Sequence, residues 1–230
     1  MKMIIALKIF KKVGVRKMKK EFDSLKELFE YLNGKVNYVV LRNYELIEKE
    51  ELMKKRSDLD ILCDDKEKII KITGAEFKDD NQDSWKLYIR VAGKKLQLDV
   101  TTVGDGYFDK KWQNNMLRNR KLYKGRFYVL REDDYFYSML YHVLFQKRSV
   151  PYDYQKKLVK LAKQHDTVCY HVKGLLPNLV KYMKCHSYHV TTSSVGLQLN
   201  FDNIPFSLLR LKPLRYERMK LKEYKSFLKK

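Results

Sequence analysis

Ser57-Asp58-Leu59-Asp60-Ile61-Leu62 is the stretch on which the reading of this chain turns. Side chains alternate across a β-strand, so Asp58, Asp60 and Leu62 share one face while Leu59, Ile61 and Cys63 share the other. Farther on, Lys95-Leu96-Gln97-Leu98-Asp99-Val100 repeats the pattern, with Leu96, Leu98 and Val100 inward and Lys95, Gln97 and Asp99 outward. Two neighbouring carboxylates repel unless a cation sits between them. Mg²⁺ favours one or two carboxylates completed by water and phosphate oxygens, which suits this arrangement. A pair of such ions, about 4 Å apart, can stabilise both the attacking and the leaving oxygen of an in-line phosphoryl displacement. A solvated acidic face is the plainer account of Asp-Leu-Asp by itself. The third acid, set in its own apolar frame, weighs against it.

The surroundings extend the pattern. Ser24-Leu25-Lys26-Glu27 reads as a capping box, followed by an apolar stripe of Leu25, Leu28, Phe29 and Leu32 that Gly34 ends. Residues 36–42, Val-Asn-Tyr-Val-Val-Leu-Arg, have the β-branched and aromatic composition of a buried strand. Residues 85–91 and 94–100 flank Ala92-Gly93, a two-residue turn, and so predict a hairpin. In that register Lys86 faces Asp99, Tyr88 faces Gln97 and Arg90 faces Lys95, all on the face that carries the acids. Lys86 and Arg90 are then candidates to neutralise phosphate charge. Simple cross-strand charge balance, worth at most about 1 kcal/mol per pair, accounts for them equally well.

Helix, strand, short excursion and an Asp-x-Asp strand is an order that resembles the polymerase-beta-like nucleotidyltransferase superfamily. Arg56-Ser57-Asp58-Leu59-Asp60-Ile61-Leu62 is similar to its Ser-Asp-hydrophobic-Asp-hydrophobic signature, and Asp99 matches its third carboxylate. The resemblance implies an α+β fold, a nucleotidyltransferase-like mixed sheet flanked by helices. It also implies Mg²⁺ or Mn²⁺ held by Asp58, Asp60 and Asp99, with Ser57 beside the nucleotide and Asp99 helping to deprotonate an acceptor hydroxyl. One feature departs from the pattern. A Gly-Ser pair usually follows the first strand and receives the triphosphate at a helix N-terminus; here that position reads Leu41-Arg42-Asn43-Tyr44-Glu45, without glycine. Arg42 and Asn43 can supply side-chain donors instead, since a guanidinium pairs bidentately with phosphate oxygens. Loss of nucleotide binding, or an unusual donor, is the alternative.

The 230 residues, 44% hydrophobic, are ample for a core. Cys63, Cys169 and Cys185 are odd in number and scattered, which predicts neither a disulfide framework nor a zinc site and suits a reducing, cytoplasmic setting. No apolar run approaches the roughly 20 residues of a membrane span. The net charge of +21 is concentrated at the ends: residues 1–20 hold eight Lys/Arg and no acid, and residues 210–230 hold nine against Glu217 and Glu223. Both ends also carry apolar residues, a combination suited to an anionic membrane surface, to a nucleic-acid backbone, or to a terminal helix with a solvated basic face.

The second half predicts mainly helix. Glu132 or Asp133 caps a helix through Gln146 with Phe136, Met139, Leu140, Val143 and Leu144 inward, and Pro151 or Asp153 begins another. A hairpin of Tyr188–Thr191 and 195–199, turned at Ser193-Ser194, would complete a winged-helix-like module. His142 and Lys147 are candidate acceptor or nucleotide contacts, although a His in such a helix is more often structural. The expected organisation is a basic segment 1–20, a nucleotidyltransferase-like domain 21–130, a helical and hairpin domain 131–205, and a basic segment 206–230.

The stretch Gly104-Asp105-Gly106-Tyr107-Phe108, the helix running from Tyr137 to His142 and Lys147, and the 187–200 hairpin resemble nucleotidyltransferase-like proteins found with cell-surface polysaccharide and lipopolysaccharide enzymes. The same likeness extends to glycan-related proteins of large viruses. It implies a sugar, polyol or lipid-linked glycan acceptor and a nucleotide donor, with the basic ends at the inner face of a membrane. A nucleotide-adding enzyme acting on RNA or protein, and a catalytically idle binding protein of the same fold, are the other classes consistent with the sequence.

Overall fold

The computed structural model describes residues 20–49, 51–53, 58–78, 85–147, 150–164, 173–191, 199–200 and 208. Among these residues eight strands form one mixed sheet: β1 (Glu21–Phe22), β2 (Tyr38–Val40), β3 (Leu59–Cys63), β4 (Glu76–Phe77), β5 (Lys86–Val91), β6 (Lys94–Thr102), β7 (Lys121–Tyr123) and β8 (Phe127–Val129). They lie in the order β1-β5-β6-β3-β2-β8-β7, with β4 also paired to β5. Seven α-helices among the described residues accompany them: α1 (Leu25–Leu32), α2 (Tyr44–Glu48), α3 (Lys66–Thr73), α4 (Lys110–Arg118), α5 (Glu132–Phe145), α6 (Tyr152–Gln164) and α7 (Leu176–Cys185). The class is α+β, as the pattern of the sequence predicts.

Local chemistry explains most of these elements. Ser24 caps α1 by accepting from the Glu27 N–H at 3.2 Å, while the Glu27 carboxylate reaches back to the Asp23 N–H at 2.7 Å. The capping box is therefore real, but displaced by one residue from its usual return bond to the cap itself. The hairpin forms in the expected register, with Lys86 opposite Asp99, Tyr88 opposite Gln97 and Arg90 opposite Lys95. Both turn residues have positive φ, Ala92 at 49° and Gly93 at 72°, the conformation of a type I′ turn. Glycine adopts this readily; alanine does so against the clash of its Cβ with the backbone.

The sheet separates two cores. One face, with Leu59, Ile61, Leu87, Ile89, Leu96 and Leu98, packs against Leu28, Phe29 and Leu32 of α1 and Ile69 and Ile70 of α3. The other, with Val39, Leu41 and Leu62, packs against α4, α5, α6 and α7. This second face is the one that carries the acids, so it is not the open surface that simple alternation suggests. Helices from the second half of the chain cover much of it. α5 is its centre: eleven of its fourteen residues are buried, because neighbouring elements enclose it nearly all round.

Some local expectations change. Arg131, not Glu132 or Asp133, occupies the N-cap of α5, without a side-chain bond, and the acids fall in its first turn, where they complement the helix dipole. Cys63 is buried as expected, and burial pushes its thiol up to about 12. In the C-terminal region the Val190 N–H donates to the carbonyl of Leu208 at 2.7 Å, a partner beyond the anticipated hairpin. The Ser193-Ser194 turn lies outside the described residues, as do Cys169 and, apart from Lys20 and Leu208, both basic ends. Among the described residues no helix is long and apolar enough to cross a membrane.

Two substitutions test these local assignments by chemical denaturation. Ser24→Ala, which removes the α1 cap, should cost about 1 kcal/mol. Ala92→Asn, which suits the left-handed turn position, should stabilise the protein by about 1 kcal/mol.

Candidate carboxylate site

β3 and β6 run parallel, and their register sets Asp60 directly beside Asp99. Both are almost fully buried, at 9% and 6% exposed, while Asp58, one position before β3, is exposed. Alternation keeps all three on one face of the sheet. Their charges interact. Burial, then Asp60 and Asp58, push the Asp99 carboxyl up to about 6, with a hydrogen bond from Gln97 opposing the rise. Burial and Asp60 likewise raise Asp58.

Asp60 has a resident cation. Arg42, buried just beyond β2, donates to Asp60 Oδ1 through Nη2 and to the Tyr107 hydroxyl through Nη1 at 2.8 Å. Desolvation works against the guanidinium's charge, but Asp60 and Tyr107 outweigh it and raise its pKa well above the ordinary value. The network continues inward: the Tyr107 hydroxyl lies 3.2 Å from His142 Nδ1, which lies 2.9 Å from Gln146 Oε1. Gln146 Nε2 closes the ring by donating to the Tyr107 carbonyl at 2.7 Å. Burial, then nearby Arg42, hold the His142 pKa well below the usual imidazole range, so the ring is neutral. His142 thus sits in a structural network rather than at an open contact surface. Lys147 stands at the far end of α5 with its Nζ 5.5 Å from the Tyr154 ring, which in turn packs beside His142 at 6.0 Å.

Asn43 occupies the position where the superfamily pattern has glycine. It adopts a left-handed conformation, φ 56°, and precedes α2, a conformation asparagine tolerates better than most residues. Its side-chain oxygen accepts from Lys157 Nζ at 3.3 Å, and Lys157 also pairs with Glu45 at 2.9 Å. Arg42 and Asn43 therefore both have partners within the protein.

The hairpin brings one of its two candidate cations to the acids. Lys86 is in register with Asp99, whereas Arg90 lies four residues farther along β5, about 13 Å at the rise of a strand. Two residues with no role evident from sequence complete the edge: Lys78 Nζ donates to Gln97 Oε1 at 2.8 Å, and Gln97 Nε2 donates to Asp99 Oδ1 at 2.8 Å. Lys78 belongs to the segment after β4, and its place became legible only once β4 was seen beside β5. Tyr107 and Gln146 were missed for the same reason, since their partners come from distant parts of the chain. Ser57 lies outside the described residues.

The donors are all carboxylate oxygens, the set that a hard divalent cation takes, and the repulsion that raises Asp58 and Asp99 is of the kind such an ion relieves. The residues fit a Mg²⁺ or Mn²⁺ site in their chemistry. Among the described residues, however, no three potential ligands are gathered into a cluster: Asp60 is turned onto Arg42, and Asp99 onto Gln97. No protein-family model, curated protein or solved structure matches this chain.

The raised Asp99 has a consequence for stability. Between the unfolded value near 3.9 and about 6 the folded state binds the extra proton, so stability falls as pH rises through that window. In metal-free buffer, Asp99→Asn should therefore be more stable than wild type at pH 7, by of order 2 kcal/mol, and show little gain at pH 4. Arg42→Met should do the opposite. It strands Asp60 in the interior and should cost roughly 3–5 kcal/mol, much of it recovered in Arg42→Met/Asp60→Leu. Both are read from denaturant midpoints.

Proposed function

We propose that this chain is a metal-dependent transferase of phosphorus-containing groups, of the polymerase-beta-like nucleotidyltransferase type, acting on a sugar, polyol or glycan precursor. One observation carries the reading: Asp60 and Asp99 lie side by side on neighbouring parallel strands, with Asp58 on the same face. That placement is what a phosphate-transfer centre needs, and the Ser-Asp-x-Asp sequence gives the superfamily resemblance.

In this reading Asp58, Asp60 and Asp99 hold Mg²⁺ or Mn²⁺, which when bound neutralises the donor's phosphates and favours in-line displacement. The protein's own residues do the remainder. Asp99, beside Asp60 and opposite Lys86, is placed to receive the proton of an acceptor hydroxyl. Lys86, opposite Asp99, contributes positive charge where negative charge builds on the transferring group. Binding a cation asks Asp60 to exchange or share its Arg42 contact, which would free the guanidinium toward the donor phosphates. The donor is then a nucleoside triphosphate or nucleotide-linked group. The basic segments 1–20 and 210–230 would keep the enzyme at the inner face of an anionic membrane, near a lipid-linked acceptor. Nucleic acid is the second choice of partner for the same segments.

A second reading has an observation of its own. The Arg42–Asp60 pair already neutralises one of the three acids from within, as expected of a binding protein that keeps this fold without catalysis.

Calorimetric titration with the four ribonucleoside triphosphates and common nucleotide-sugars, with and without Mg²⁺, separates the two. Metal-dependent binding to wild type, lost in Asp60→Asn, together with transfer to a sugar or polyol abolished in Asp60→Asn and Asp99→Asn, is the expected result. Retained turnover in metal-saturated Asp60→Ala would sink the catalytic assignment, and absence of binding under every condition would favour the idle protein. CTP preference points to activated sugar or polyol chemistry, and ATP preference to nucleotide addition.

A further inference from the structure

A cavity of about 300 Å³ lies on the side of the sheet away from the acids. Its apolar walls come from Phe29 of α1, Ile47 of α2, Val91 of β5 and Phe127 of β8, all members of the core that packs α1 and α3 against the sheet. The acids and Arg42 belong to the opposite face, which packs against α4 to α7, so the cavity is separate from the carboxylate site. Its volume matches about ten water molecules' share of liquid, at the lower end of the range of small-molecule pockets.

The polar lining is mainly cationic. Lys26, Lys94 and Arg126 border the cavity, with Asp23 as its one acid. Lys26 has a weak exposed contact with Glu30 at 3.7 Å, but the Arg126 guanidinium and the Lys94 ammonium make no hydrogen bond or ion pair among the described residues. Arg126 is half-buried, held in the turn between β7 and β8, with its backbone carbonyl accepting from Asn33 Nδ2 at 2.8 Å. Arg126 is half-buried beside these apolar walls, and an anion at the cavity would supply its side chain with a counter-charge.

We propose that this cavity is a second binding site, for a small amphipathic anion: an apolar chain or ring of about ten carbon atoms, seated between Phe29, Ile47 and Phe127, with a carboxylate or phosphate head on Arg126 and Lys94. Apolar walls with a few convergent polar groups at one end recognise such a molecule, since the walls supply affinity and the cations fix its direction. The site stands independently of the proposed transferase activity.

The test is calorimetric titration of the full chain with decanoate, decyl phosphate and neutral decanol, in EDTA and without nucleotide, so that the carboxylate site plays no part. The expected result is saturable one-to-one binding of at least one anion, at least tenfold tighter than decanol, and weakened at least tenfold in Arg126→Gln. Leu25→Trp, which adds volume at the cavity rim, should also weaken it, with unchanged far-ultraviolet circular dichroism showing that both variants fold. The tighter of the two anions identifies the head group. No saturable binding, equal binding of decanol, or undiminished affinity in folded Arg126→Gln would each overturn the proposal.

Discussion

An ionised carboxylate cannot rest in a protein interior without a counter-charge, and the centre of this molecule is arranged around that requirement at Asp60. The residue lies in the middle strand of the sheet, almost fully covered, and Arg42 supplies the opposite charge. To reach it, the chain must leave β2 sharply after Leu41, which it does by passing through the left-handed conformation of Asn43 into α2. The guanidinium must also be satisfied, so Tyr107 is drawn in from the loop after β6, and His142 and Gln146 from α5. One buried charge thereby ties the sheet, a loop and the central helix of the second half to one another.

The sheet's two faces are closed by different means. α1 and α3 bring amphipathic stripes to one face, and the contact there is apolar apart from the cation-rimmed cavity. On the other face polar groups are numerous, and the covering helices take part in their hydrogen bonding: besides the Arg42 network, buried Asp134 of α5 accepts from Trp112 Nε1 at 2.8 Å and from the Tyr182 hydroxyl at 3.0 Å. Buried polar groups of this density are tolerated because nearly every one has a partner. Asp99 lies at the margin of this arrangement, held by Gln97, and its burial beside two further acids pushes its carboxyl up to about 6.

Much of this was legible residue by residue. The β5–β6 register followed from Ala92-Gly93 alone, because a two-residue turn fixes every pair behind it. The buried stripe of α1 and the face shared by Asp58, Asp60 and Asp99 followed from periodicity. His142 was ambiguous, because a helix buried nearly all round has no polar side from which a site can be read. Arg42 was visible as a cation near the acids, but its partner was not, since any of three carboxylates or a phosphate could have claimed it.

Periodicity, capping and turn chemistry act over a few residues, so the sequence by itself determined the α+β class, the hairpin, the start of α1 and which strand face bears the acids. Pairing between distant segments depends on how the whole chain closes. Only the tertiary structure therefore decided that Asp60 sits beside Asp99 in a parallel pair, that Arg42 rather than solvent meets Asp60, and that a cation-rimmed cavity opens behind the sheet. Such contacts are set by packing and by the cost of leaving buried charge unpaired, and no local pattern encodes them.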